Sequence, residues 1–393
     1  MIRPLLATSL LALTLAACGG DEAEVAVPEA AERPEEITLG EPLRQRPERP
    51  APRAIYTDTL GSFESAVSGL AVWQHPTLSF ESAVLAANGE AGLAVIPVDS
   101  GVTLSSVEGD FSGGVAVSYP DDGDPSNTLA AAGRGGEIAF YSVAPDRSFA
   151  EVAAVPAPGG TRALCALGGT VLRVSADGAA SLYGVTLGGN AAVAEPVPAL
   201  DGAAGCAASR EGFFVLSADG GVAELSPDGE SDGYGDLFGG TPATALAAVT
   251  VSESGGYLLA GGADGTIRAL PFPLEDGAEA ARTAPQREGV TDDAAIAVLA
   301  AGSGNFGSIY RDGVVAVLDA EGALKLLPWA GLARALGIEE TTTVARRSLN
   351  AEGRPEGGPT VPEAATGPEP DVDAPRFDVR PAVPDLSRAG GQD

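Results

Sequence analysis

The chain is poor in most of what catalytic and nucleic-acid-binding sites are built from. It has one histidine, His75, one lysine, Lys325, and three cysteines in 393 residues. Aromatic residues make up 5% of it, which leaves few stacking platforms for sugars. Its 23 bases stand against 54 acids, a formal net charge of −31. With no basic patch to neutralise phosphates, nucleic acid is excluded as a charge-driven partner. The acid excess fits solubility in an extracytoplasmic compartment, or a cation-binding surface. One histidine and so few cysteines do not make a structural zinc site. There is no Walker-type phosphate loop and no convincing Ser/His/Asp set. Beyond residue 17, no stretch is long and apolar enough to span a bilayer.

What is present begins with an export signal. Arg3 stands in a short n-region, and Leu5–Leu15 is an apolar run too short to span a membrane as a mature helix. Small residues then precede Cys18, and Leu15-Ala16-Ala17-Cys18 resembles a bacterial lipobox. That resemblance implies a signal peptide over 1–17, a lipid on Cys18 and a chain held to a membrane. Gly19 after the cysteine implies the outer membrane, by analogy with lipoprotein sorting, at its periplasmic face or the cell surface. Residues 18–54 are rich in Glu, Pro, Ala and Arg and read as a flexible tether. Residues 339–393 share that composition and read as a disordered tail. After processing, Cys165 and Cys206 remain. Export permits a disulfide between them; two small buried residues are equally open as a reading.

The segment between, 55–338, carries an internal repeat. A Gly-containing turn is followed by a short apolar strand: Asp177-Gly178-Ala179-Ala180-Ser181-Leu182-Tyr183, Asp219-Gly220-Gly221-Val222 and Asp264-Gly265-Thr266-Ile267 are copies. The steps between glycines 92, 136, 178, 221 and 265 are 44, 42, 43 and 44 residues, and the step to Gly322 is 57. The excess falls in the polar segment 274–293, which reads as a loop insertion. Asp-Gly before an apolar run is a hairpin signal, because Gly supplies positive φ at no steric cost. Ahead of each turn lie two more strands, the first built of small residues, as at Gly205–Ala208 and Ile296–Ala301. Small residues suit strands that converge on a narrow axis. A steady period of this size with several short strands per unit predicts an all-β fold, a six-bladed β-propeller. A β-sandwich or two β domains would not keep the period. Ala330–Leu336 reads as a short helical turn.

Several pieces, in order, resemble the β-propeller phytases of the 3-phytase type, calcium-dependent enzymes that release phosphate from inositol hexakisphosphate. Ala71-Val72-Trp73-Gln74-His75-Pro76 is similar to the family's Ala-Ile-Trp-x-His-Pro. Ala131-Ala132-Gly133-Arg134, Ala163-Leu164-Cys165, Ala204-Gly205-Cys206, Arg311-Asp312-Gly313 and Lys325-Leu326-Leu327-Pro328-Trp329 resemble further family segments. The resemblance covers most of 57–338.

It implies a calcium centre at the inner strand ends. Calcium needs about six to eight oxygen ligands, several of them carboxylates, and paired metals clamp the attacking and leaving oxygens. Carried over onto this chain, Asp292 and Asp312 become the catalytic and metal-binding residues. Arg134, Arg311 and Lys325 become the phosphate contacts. Elsewhere the family's acids are replaced: Ser68-Gly69-Leu70, Gly113-Gly114-Val115-Ala116, Ala204 and the region of Leu246 stand where acids are expected. These losses predict weak or absent phosphomonoesterase activity. The alternative is a non-catalytic propeller, expected to be monomeric, that binds an envelope protein or a phosphorylated small molecule. Asp121, Asp122 and Asp124 share one loop, either a different calcium ligand set or a solvated acidic turn. His75, ahead of Pro76 at a strand end, reads as structural.

Overall fold

The computed structural model describes residues 51–340 apart from 64–65, 104, 121–126, 186–196, 211, 241, 253–254, 275–278, 288 and 308. The chain divides into two units, Met1–Pro50 and Ala51–Asp393. Cys18 in the first unit, the acidic loop at 121–124 and the segment beyond 340 lie outside the described residues. Among the described residues no helix is long and apolar enough to cross a membrane.

The body is all-β. After β1 (Asp58–Ser62), the first sheet is β2 (Gly69–Trp73), β3 (Ala83–Ala87), β4 (Leu93–Pro97) and β5 (Ser105–Val107). The second is β6 (Val115–Ser118), β7 (Leu129–Arg134), β8 (Glu137–Val143) and β9 (Phe149–Pro156). The third is β10 (Thr161–Leu167), β11 (Thr170–Ser175), β12 (Ala180–Gly184) and β13 (Val197–Leu200); the fourth is β14 (Ala203–Ala208), β15 (Phe213–Ser217) and β16 (Val222–Leu225). The fifth is β17 (Ala243–Thr250), β18 (Gly256–Gly262), β19 (Ile267–Phe272) and β20 (Ala281–Thr283). A two-stranded hairpin, β21 (Gln286–Arg287) and β22 (Val290–Thr291), precedes the last sheet of β23 (Ile296–Gly302), β24 (Val314–Asp319) and β25 (Ala323–Pro328). Within each sheet, neighbours in sequence pair antiparallel. The exception is β1, which joins the last sheet at its outer edge, with Asp58 opposite Leu326 and Ser62 opposite Ala323. The first strand of the body and its last sheet are thereby joined.

Side chains alternate across a strand, so one strand feeds two layers. In β3 all five residues are buried. Val84 and Ala86 enter a layer with Val314, Ala316 and Leu326 of the last sheet. Ala83, Leu85 and Ala87 enter another with Val115, Ala130 and Ala139 of the second. Strand β24 behaves alike: Val315 and Val317 face the fifth sheet, while Val314, Ala316 and Leu318 face the first. Each apolar layer is shared by two sheets, and the last sheet shares one with the first. This is a propeller-like arrangement.

The turns follow the Asp-Gly reading. Gly178, Gly220, Gly265 and Gly322 have φ between +72° and +90°. The Ser175 hydroxyl donates to Asp177, and Ser217 to Asp219, fixing each tight turn. The segment 274–293 is more than a loop. It supplies β20, which completes the fifth sheet, and the β21–β22 hairpin, whose Gln286 bridges to Ile55. Its pairing runs through backbone groups, so its polar composition does not announce it. Helix α1 (Trp329–Leu336) buries Trp329, Leu332, Ala333 and Leu336, one face at helical spacing, against the layer between the last two sheets. Gly337 caps it in the left-handed region at φ 72°.

Candidate functional site

The first strands of the sheets, β2, β6, β10, β14, β17 and β23, face a common axis. Along it lie three cavities: about 170 Å³ at the end where these strands start, about 150 Å³ at the waist, and about 560 Å³ where they end. The small residues predicted for inner strands explain how so many backbones approach one line; β14 is Ala-Ala-Gly-Cys-Ala-Ala.

The narrow mouth gathers several of the positions at which the phytase resemblance expects acids. Ser68, Gly69, Gly114, Ala204 and Leu246 line it together with Arg162. No carboxylate is among its described lining residues. The hydroxyls there already serve the backbone: Ser68 Oγ accepts the Gly114 N–H at 2.9 Å, and Thr244 Oγ1 donates to the Ile296 carbonyl at 2.7 Å. Backbones also touch. A Cβ at Gly69 would lie 2.8 Å from Gly114 Cα, and one at Gly113 would lie 2.8 Å from Gly133 Cα. An acidic side chain at either position has no room without moving a neighbouring strand. This donor set does not fit calcium, whose several carboxylate oxygens have no source here. Among the described residues no group of three or more His, Cys, Asp and Glu is placed to hold a metal ion.

The carried-over residues do not form one site. Asp292 and Lys325 do meet, at 2.5 Å, and Lys325 also contacts Asp319 Oδ2 at 2.7 Å. Lys325 and Asp319 side chains are 5% and 2% exposed, so this is an internal ion triad and no phosphate contact. Asp319 Oδ1 accepts the N–H groups of Glu321 and Ala323, at 3.0 and 2.8 Å; the Oδ2 contact is a charge pair off the angle of an aligned hydrogen bond. The Tyr56 ring lies under the ammonium, 5.4 Å to its centre. Burial pulls the Lys325 pKa down, but the two carboxylates outweigh it and hold it above the ordinary lysine value. Burial raises the Tyr56 hydroxyl, and Asp292 and Asp319 add to that.

Asp312 lies at the other end of the last sheet. It precedes β24, whereas Asp319 closes it, a separation on the order of 20 Å at the usual rise per residue. Asp292 and Asp312 therefore cannot share a metal. Arg311, exposed in the same 303–313 connection, is likewise remote from Lys325. Arg134 is committed within its own sheet: it donates to Glu137 at 2.6 Å, to Glu151 at 2.7 Å and to the Tyr141 hydroxyl at 3.1 Å. Glu151 and then Glu137 raise its pKa. A phosphate would have to displace two carboxylates. His75 is buried, and its Nδ1 accepts the N–H groups of Thr77 and Leu78 at 3.1 and 2.9 Å, which shapes the β2–β3 connection.

Cys165 of β10 and Cys206 of β14 are bridged, with Cα atoms 6.1 Å apart. The bond ties the inner strands of the third and fourth sheets and lines the axis. Two arginines that no sequence motif marks line the mouths. Arg162 stands at the narrow mouth and Arg210 at the wide one. The available signal was a lone charge at the end of a strand of small residues.

No protein family matches the chain, and no curated protein does. Solved structures to which it is similar include the WD40 repeats of RRP9, 16% identical over 70% of this chain and 80% of that one, with a TM-score of 0.44. Another is BBS1N in a complex with ARL6DN, 12% identical over 67% of this chain and 78% of that one, TM-score 0.45. A third is a structural-genomics protein of unknown function from Bacteroides thetaiotaomicron, 13% identical over 70% and 73%, TM-score 0.47.

Proposed function

We propose that the chain is a six-bladed β-propeller of phytase descent, exported and held to a membrane by a lipid on Cys18, that binds a partner and does not hydrolyse phosphate esters. The blade count is supported by the repeat period, by the layer shared between the last and first sheets, and by six inner strands lining one axis. The loss of hydrolysis is carried by one observation. Expected ligand positions converge at the narrow mouth, and Ser68, Gly69, Gly114 and Ala204 stand there in place of acids. The two surviving charges that meet, Asp292 and Lys325, are tied up with Asp319 in the ion triad.

Thermal unfolding with and without millimolar calcium tests the metal half of this reading. Ligand at about a hundred times its Kd stabilises by roughly 2.7 kcal/mol. The expected result is no calcium-specific rise in the midpoint that Asp292→Asn or Asp312→Asn removes; such a rise overturns it. The anchor is tested separately. Cys18→Ser should release the chain from the membrane fraction, and a variant that still partitions with membranes refutes the lipid.

A further inference from the structure

The wide mouth lies at the opposite end of the inner strands from Ser68, Gly69, Gly114 and Ala204, and neither the ion triad nor the narrow mouth uses it. Its volume, about 560 Å³, is that of a ligand pocket. Val72 and the buried Phe306 ring supply apolar wall. Two of its hydroxyls are donors in want of acceptors. Tyr119 Oη accepts the Gln74 N–H at 2.7 Å, and its own hydrogen finds no acceptor among the described residues. Burial raises its pKa, so it stays a donor. Ser303 Oγ accepts the Thr250 N–H at 2.9 Å and keeps its hydrogen in the same way. Arg210 is exposed and is the one charged side chain in the described lining, in a chain of net charge −31.

An apolar rim adjoins this pocket on one side. Leu78, Phe80 and Ile309 are 41%, 51% and 52% exposed. They sit on the β2–β3 and β23–β24 connections, which touch: Gln74 donates to the Asn305 carbonyl, and Gly307 abuts the Phe80 backbone. Gln74 and Phe306 of those same connections line the pocket. Arg210 follows β14 of the fourth sheet, across the axis from the first in a ring of six. A single small anion held at Arg210 leaves that rim uncovered, whereas an extended chain crossing the mouth reaches both.

We infer that the wide mouth is a docking site for an acidic peptide segment of a partner protein. A carboxylate of the segment pairs with Arg210, Tyr119 and Ser303 donate to its oxygens or carbonyls, and an apolar side chain several residues along covers Phe80 and Ile309. This rests on the binding reading above and gives it an address.

The test is fluorescence polarisation of labelled synthetic octapeptides on the full processed chain. One set carries a Glu at one end and a Phe or Leu five or six residues away; the matched set has Gln for Glu. Expected are saturable binding of a Glu peptide and at least about a tenfold loss with its Gln partner, the worth of a charge-assisted contact. Arg210→Ala and Phe80→Ser should each weaken binding, while Arg162→Ala at the other mouth leaves it unchanged. Circular dichroism of each variant checks that it folds. Equal binding of Glu and Gln peptides, binding lost with Arg162→Ala in place of Arg210→Ala, or competition by acetate or benzoate as strong as by the peptide overturns the proposal. None of these results touches the calcium measurement.

Discussion

Replacing Lys325 by Met removes the one cation from the interior of the last sheet. Asp319 is then left 2% exposed with a negative charge and no counter-ion, and Asp292, 14% exposed, faces it. Breaking a buried pair by removing one partner costs roughly 3–5 kcal/mol, because the remaining charge is buried without compensation. Here two carboxylates are stranded, so the upper part of that range applies. Urea unfolding at neutral pH, followed by circular dichroism, gives the difference directly. A second variant separates charge from shape. Adding Asp292→Asn and Asp319→Asn to Lys325→Met removes all three charges and should recover most of the loss, since apolar or neutral replacements of buried ion groups are often tolerated. The pH dependence has a definite sign. The folded-state pKa of Lys325 is raised, so its contribution is whole below the ordinary lysine value near 10.4 and fades as pH rises through the folded value. A Lys325→Met protein within about 1 kcal/mol of the parent at pH 7 refutes the triad as a structural element.

Three further outcomes follow from the same packing. Reducing the Cys165–Cys206 bridge, which closes a 41-residue separation, should cost about 4 kcal/mol on the chain-entropy estimate; a Cys165→Ser, Cys206→Ser protein should then be insensitive to reductant. Gly69→Asp should destabilise by roughly 1–3 kcal/mol and create no calcium response, because its Cβ meets Gly114 Cα at 2.8 Å; a stable, calcium-responsive variant contradicts the crowding at the narrow mouth. Tyr310→Phe removes the hydroxyl that donates to Asp58 at 2.5 Å and contacts Thr57 at 2.6 Å, and should cost roughly 1–3 kcal/mol, with early hydrogen exchange in β1.

The strands were legible because their signals are local. Thr170–Ser175 and Ile296–Ala301 could be bounded from runs of small and apolar residues between Asp-Gly turns, since turn chemistry and alternation act over a few residues. The sites were not, because they depend on what the sheets bring together. Lys325 and Asp292 are 33 residues apart, and only the last sheet makes them neighbours. Arg134 was assigned to phosphate because its motif was visible while its partners, Glu137 and Glu151, become adjacent only through β8 and β9. Asp292 and Asp312 look close along the chain, yet β23 runs between them and carries them to opposite ends of the last sheet. The β20–β22 segment was hidden by its polar composition. The mouth arginines carry no periodic signal, and the bridge between Cys165 and Cys206 needed the approach of β10 to β14, which spacing alone does not give.

On the proposed function, the narrow mouth performs no metal-assisted phosphate release. Incubating the full processed chain with inositol hexakisphosphate, in calcium and in a chelator, and measuring inorganic phosphate tests it most directly. Equal release in the two conditions, at the level of a blank without protein, is expected. Calcium-dependent release above that blank would refute the proposed function.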